Sequence, residues 1–261
     1  MRKFITLGLA IAIAAPAAAS NRLTDKEVKA LVAKIEDGRD RFDDALDGKL
    51  KNSILRGPGG EVDVDRFLND FQESIDRLEE RLAPGYAASQ EAQTVLRQAT
   101  AIDRYFREQP GGTKGESEWN RLTADLQTLA AAYGARFPLA DNAAVRRMGD
   151  REVSATLEEI GKAANRLGKS LDADLKRDAA MDKPTREAIV DEARQLEKDA
   201  KAARNRVKDG KPSSGEADQV LARGATLQKF IASHQVPGSA PLWSDISGYL
   251  RQIGDAYQVQ R

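Results

Sequence analysis

One histidine, His234, and no cysteine bound the chemistry open to this 261-residue chain. Covalent haem needs a cysteine pair, b-type haem needs axial histidine or methionine, and a carboxylate-bridged iron centre in a helical bundle needs Glu-x-x-His pairs. His234 stands beside Pro237 and Gly238 at the end of a helical stretch and has no glutamate three residues before it. It reads as a polar surface position. A Ser-His-Asp triad would also have to use His234, and no serine on a strained elbow accompanies it.

Acidic pairs are the next candidates. Asp63-x-Asp65 and Asp172-x-Asp174 have the alternation of calcium ligands, but an EF-hand loop adds a third oxygen ligand, a glycine and a distal glutamate in register. Neither pair has these, and both read as solvated helix faces. Gly111-Gly112-Thr113-Lys114 looks like part of a phosphate cradle, yet lacks the full P-loop spacing and a preceding strand. Arg41 and Arg166 remain. Each precedes an apolar residue, Phe42 or Leu167, on the flank of a helix, and each suits either a clamp on an anionic ligand or an inter-helix ion pair bordering the core. No catalytic, metal or cofactor-binding set emerges, so the expectation is a protein that is not an enzyme and carries no cofactor.

The elements that hold these residues are helices. Trp119, Leu122, Leu126, Leu129 and Tyr133 recur at steps of three and four, the seam of a bundled helix. Trp243, Ile246, Leu250, Ile253 and Tyr257 repeat the pattern near the C-terminus. An offset of 125 lays Asp25, Val28, Ile35, Arg41 and Leu46 on Asp150, Val153, Ile160, Arg166 and Leu171, and Glu91, Val95 and Leu96 on Glu216, Val220 and Leu221. The pattern predicts an all-α protein made by tandem duplication of an antiparallel four-helix bundle, eight helices in total. The alternative is one merged eight-helix bundle. Trp119, Tyr133, Trp243 and Tyr257 are its expected keystones, with each indole N–H reaching a loop carbonyl.

Within the first repeat, Thr24-x-x-Glu27 is a capping box, with Leu23 and Val28 as its hydrophobic staple. Helix one is expected to run through Val28, Leu31, Ile35, Phe42 and Leu46 to Leu50 and to break at Gly57-Pro58-Gly59-Gly60. Helix two carries Val64, Leu68, Phe71, Ile75, Leu78 and Leu82, helix three Val95, Ile102 and Phe106, and helix four opens on a second box, Thr113-x-x-Glu116. The boundary falls in the segment from Gly134 to Arg147, giving repeats at 21–138 and 139–261.

The first twenty residues have a basic start at Arg2 and Lys3, an apolar run from Phe4 to Ala14, and Ala17-x-Ala19 before Ser20. That is the plan of a signal peptide over residues 1–20, with cleavage before Ser20 or Asn21. The expectation is a periplasmic or secreted protein with no transmembrane segment after cleavage. The remaining 39 basic and 41 acidic residues nearly balance, which steers the chain towards neither nucleic acid nor anionic membrane. Residues 21–138 carry −4 and 139–261 carry +2, a difference that either docks one repeat on the other or is drift. The function expected is an exported scaffold or interaction protein with a protein partner in the cell envelope. The alternative is a carrier or sensor-like bundle for a small apolar or anionic ligand.

Overall fold

The computed structural model describes residues 22–46, 54–57, 60–82, 86–108, 114–178 and 181–257. The signal peptide expected over residues 1–20 lies outside them. The described chain is all-α apart from one short hairpin. Its helices are α1 (Asp25–Ala45), α2 (Val64–Arg81), α3 (Ser89–Glu108), α4 (Glu116–Ala132), α5 (Asp150–Arg177), α6 (Lys183–Lys208), α7 (Ser214–Ser233) and α8 (Ala240–Ala256).

Helix α1 starts where the capping box places it. Thr24 Oγ1 accepts from the Glu27 N–H at 3.2 Å, and the Glu27 carboxylate accepts from the Thr24 N–H at 2.7 Å. The helix stops at Ala45, earlier than the periodicity predicts, and Leu50 lies outside the described residues. Gly57 ends and Gly60 begins the paired strands of an antiparallel hairpin, β1 (Ile54–Gly57) with β2 (Gly60–Asp63), where the sequence suggested only a break. Helix α4 begins later than the predicted second box. Its N-cap is Gly115 at φ +87°, without a side-chain cap, and Thr113 lies outside the described residues. Glycine suits this turn twice over, because φ is left-handed and a Cβ would stand 2.8 Å from Leu46.

Helices α1 to α4 form one closed ring of neighbours and α5 to α8 another. Cross-links at both ends of the first helix pair in each ring establish that each pair is antiparallel: Lys29 meets Glu79 while Arg39 meets Leu68, and Arg204 meets Glu158 while Arg186 meets Asp172. Each ring closes on its own hydrophobic core, so the merged eight-helix alternative is not the form adopted. The predicted seam residues of all four helices in the first half that fall among the described residues are buried.

The segment between the bundles is not a loose tether. Phe137, Leu139 and Val145 are buried with the first core, and the Leu139 N–H donates to Thr100 Oγ1 at 2.9 Å. Met148 belongs to the second core. Packing therefore changes hands between Val145 and Met148 rather than at Pro138, because the linker's own apolar residues finish the first bundle.

Candidate functional site

The two bundles meet where the N-termini of α1 and α5 face each other. Asp25 and Asp150 are the first residues of those helices, and each accepts the other's backbone N–H on Oδ2 at 3.0 Å. A carboxylate at a helix start normally serves its own exposed N–H groups and the positive end of its own dipole. Here each serves the opposite helix.

The arms preceding the two helices repeat the exchange. Arg22 reaches Asp150 Oδ1 at 2.7 Å and the Met148 carbonyl at 2.7 Å. Arg147 reaches Asp25 Oδ1 at 2.5 Å and the Leu23 carbonyl at 2.9 Å. Both arginine side chains are almost fully buried, at 5% and 2% exposure, against carboxylates at 19%. Two arginines and two aspartates close a locally neutral joint, in which the Arg22–Asp150 contact is a charge-assisted hydrogen bond and the Arg147–Asp25 contact an ion pair alone. Arg22 also lies over the Tyr257 ring, 5.9 Å from its centroid. Burial raises the Tyr133 and Tyr257 hydroxyls above the usual phenol value; nearby Arg147 and Arg22 respectively oppose the rise.

A cleft of about 1070 Å³ opens beside the joint. Lys26, Lys29 and Leu82 line it from the first bundle; Arg151, Ser154 and Val207 occupy the positions 125 residues on in the second. Leu82 and Val207 give it an aliphatic part, and its charged lining is balanced: Lys26, Lys29, Arg151 and Lys208 against Asp25, Glu79, Glu80 and Asp150, with Glu79 paired to Lys29 at 3.5 Å. Such a lining can shelter an apolar group and meet a polar one of either charge. Among the described residues, no group of three or more His, Cys, Asp and Glu side chains is placed to hold a metal ion, and no helix is long and apolar enough to cross a membrane.

The chain matches no family model, no curated protein and no solved structure.

The residues singled out by spacing are scattered over the two bundles. Arg41 and Arg166 are both exposed, and among the described residues neither makes an ion pair. Arg166 borders a groove of about 560 Å³ with Glu158, Lys162 and Arg204, and Arg41 lies on the other bundle beside Gly38. The acidic pairs have structural work. Asp63 caps α2 by accepting from the Arg66 N–H, and Asp174 accepts from the buried Ser239 hydroxyl at 2.8 Å. His234 is exposed at the end of α7 and stacks on Phe230 with ring centroids 4.0 Å apart.

The keystone aromatics are buried: Trp119 and Tyr133 at 0% exposure, Tyr257 at 1% and Trp243 at 6%. Their indoles find side chains rather than loop carbonyls, because the preceding helix offers a nearer acceptor. Trp119 donates to Asp103 and Trp243 to Gln228. Spacing passed over Arg22 and Arg147 as site residues, although they obey the same 125-residue offset. They precede their helices and so sit outside any helical seam. The net charge difference between halves plays no part in the joint, where each half supplies one arginine and one aspartate.

Proposed function

We propose that this chain is an exported, non-enzymatic scaffold or interaction protein built by duplication of a four-helix bundle, with its partner in the cell envelope. The observation that carries the reading is the joint, where buried ionic contacts tie two closed bundles into one two-lobed body and leave polar outer faces. Cleavage before Ser20 or Asn21 leaves Arg22 within three residues of the mature N-terminus, so export processing and formation of the joint involve the same short arm. Tyr86, 63% exposed, is the exposed large apolar side chain among the described residues and a natural anchor for a partner.

A photo-crosslinking residue placed at Tyr86 in the full chain tests the reading. One discrete protein adduct from the periplasm, together with a mature N-terminus at Ser20 or Asn21, supports it. A protein that keeps residues 1–20 and stays in the cytoplasm overturns the export.

The cleft favours a second function, a carrier for a small anionic molecule with an apolar body. Leu82 and Val207 supply an aliphatic surface, and Lys26, Arg151 and Lys208 supply cations for the anionic group, in a lining that also holds the carboxylates Asp25, Glu79, Glu80 and Asp150. A broad thermal-shift screen separates the two, since a carrier gains stability with some ligand in proportion to its occupancy.

A further inference from the structure

The joint between the bundles has the form of a two-fold contact between identical subunits. Arg22 faces Asp150 as Arg147 faces Asp25, and each arginine also binds a main-chain carbonyl of the other arm, at Met148 and Leu23. Asp25 and Asp150 exchange backbone N–H bonds of equal length, 3.0 Å. All three pairs of matching positions, 22 with 147, 23 with 148 and 25 with 150, share one offset of 125. In an isologous interface, residue i meets j and j meets i, which requires the same patch on both sides. Each bundle here carries that whole patch: an arm with an arginine, and a helix start with an aspartate.

We propose that each bundle's joint surface is self-complementary and that its alternative partner is the same bundle of a second copy of this chain. Among the four ionic side chains of the joint, nothing selects against that pairing. A first bundle meeting a first bundle sets Arg22 against Asp25 twice, and a second meeting a second sets Arg147 against Asp150 twice. Specific interfaces usually include a repulsive element that penalises the wrong partner, and these four side chains supply none; outside them, a second-with-second pair would bring together the Arg151 and Lys208 cations that Glu79 and Glu80 face in the mixed pair. What keeps the contact within one chain is the linker, which holds the two patches at high effective concentration. The pairing is independent of export and of the envelope partner proposed above.

The test severs the linker in the folded full chain. A specific protease site inserted between Asp141 and Asn142, both exposed in a turn, is cut after purification. Native mass spectrometry then follows the halves during incubation. The expected result is the mixed pair together with both like pairs. A parallel chain carrying Arg22→Asp and Asp150→Arg keeps opposite charges across the mixed joint, at the loss of the Asp150 bond to the Asp25 N–H, the Arg22 bond to the Met148 carbonyl and the Arg22 contact with the Tyr257 ring. It sets like charges together in both like pairs. After cutting, it should retain the mixed pair and lose the like pairs. The mixed pair alone from the unsubstituted chain, or halves that run singly, overturns the proposal. Equally free scrambling by the charge-exchanged chain overturns the assignment of the pairing to these four side chains.

Discussion

The Trp119 indole N–H donates to the Asp103 carboxylate at 3.3 Å, inside the first bundle, with the ring packed 5.2 Å from Phe42 and 6.0 Å from Phe106. Asp103 is 4% exposed and its charge is met by Arg107 one turn later. In the second bundle Gln228, 125 positions on, accepts from Trp243 at 2.6 Å. A neutral amide thus replaces a compensated acid. The seam demands an acceptor at this point of the preceding helix and leaves its charge free to vary.

Trp119→Ala should therefore cost about 3 to 5 kcal/mol, the usual range for emptying a large aromatic site. Urea unfolding measures the loss. Tryptophan emission of the native protein should be blue-shifted and resist iodide. A red-shifted, freely quenched signal with an unchanged unfolding midpoint would instead mark the rings as surface anchors.

Arg147→Ala should be far more costly than Lys29→Ala, although each removes one cation from an ion pair. Breaking a buried pair strands its carboxylate, at about 3 to 5 kcal/mol. The Lys29–Glu79 pair is 58% and 41% exposed and falls in the class worth about 0 to 1 kcal/mol. Equal unfolding free energies for the two variants would remove the joint from the list of stabilising contacts.

Two glycines in adjacent helices of the second bundle should respond in opposite senses to alanine. A Cβ on Gly224 would stand 2.5 Å from a Leu250 methyl in the core, so Gly224→Ala should destabilise by about 1 to 3 kcal/mol through overpacking. A Cβ on Gly248 meets nothing within 4 Å, and Gly248→Ala inside α8 should stabilise by about 0.5 to 1 kcal/mol. Thermal melts of both variants check the signs.

Alkaline pH should weaken the fold through Tyr133 and Tyr257. Burial raises both hydroxyls above the usual 10.0, so the folded chain holds protons that the unfolded chain releases. The stabilisation is complete below pH 10 and is lost as pH rises towards the folded-state values. The Tyr133→Phe, Tyr257→Phe chain should show a shallower decline above pH 10 in unfolding free energy. Its baseline should be lower, since the Tyr133 bond to the Ala87 carbonyl at 2.7 Å and the Tyr257 bond to Ser213 at 2.6 Å are gone. Parallel declines would assign the alkaline loss to other groups.

Local periodicity determined much of this protein. A residue's place on a helical stripe depends on neighbours three and four positions away, so Trp119 to Tyr133 and Trp243 to Tyr257 announced their burial in the linear chain. Thr24 and Glu27 announced a helix start for the same reason, because both halves of a capping box lie within one turn. Tertiary structure decided the rest. The left-handed turn at Gly115 follows from the nearness of Leu46 and Phe42, more than sixty residues earlier. Leu139 and Val145 left the linker for the first core because that bundle offered an apolar face. Asp25 and Asp150 are each explained locally as an acid at a positive helix start, and no local rule distinguishes serving its own helix from serving another. That exchange, with Arg22 and Arg147 crossing in opposite directions, exists only once the two bundles are brought together.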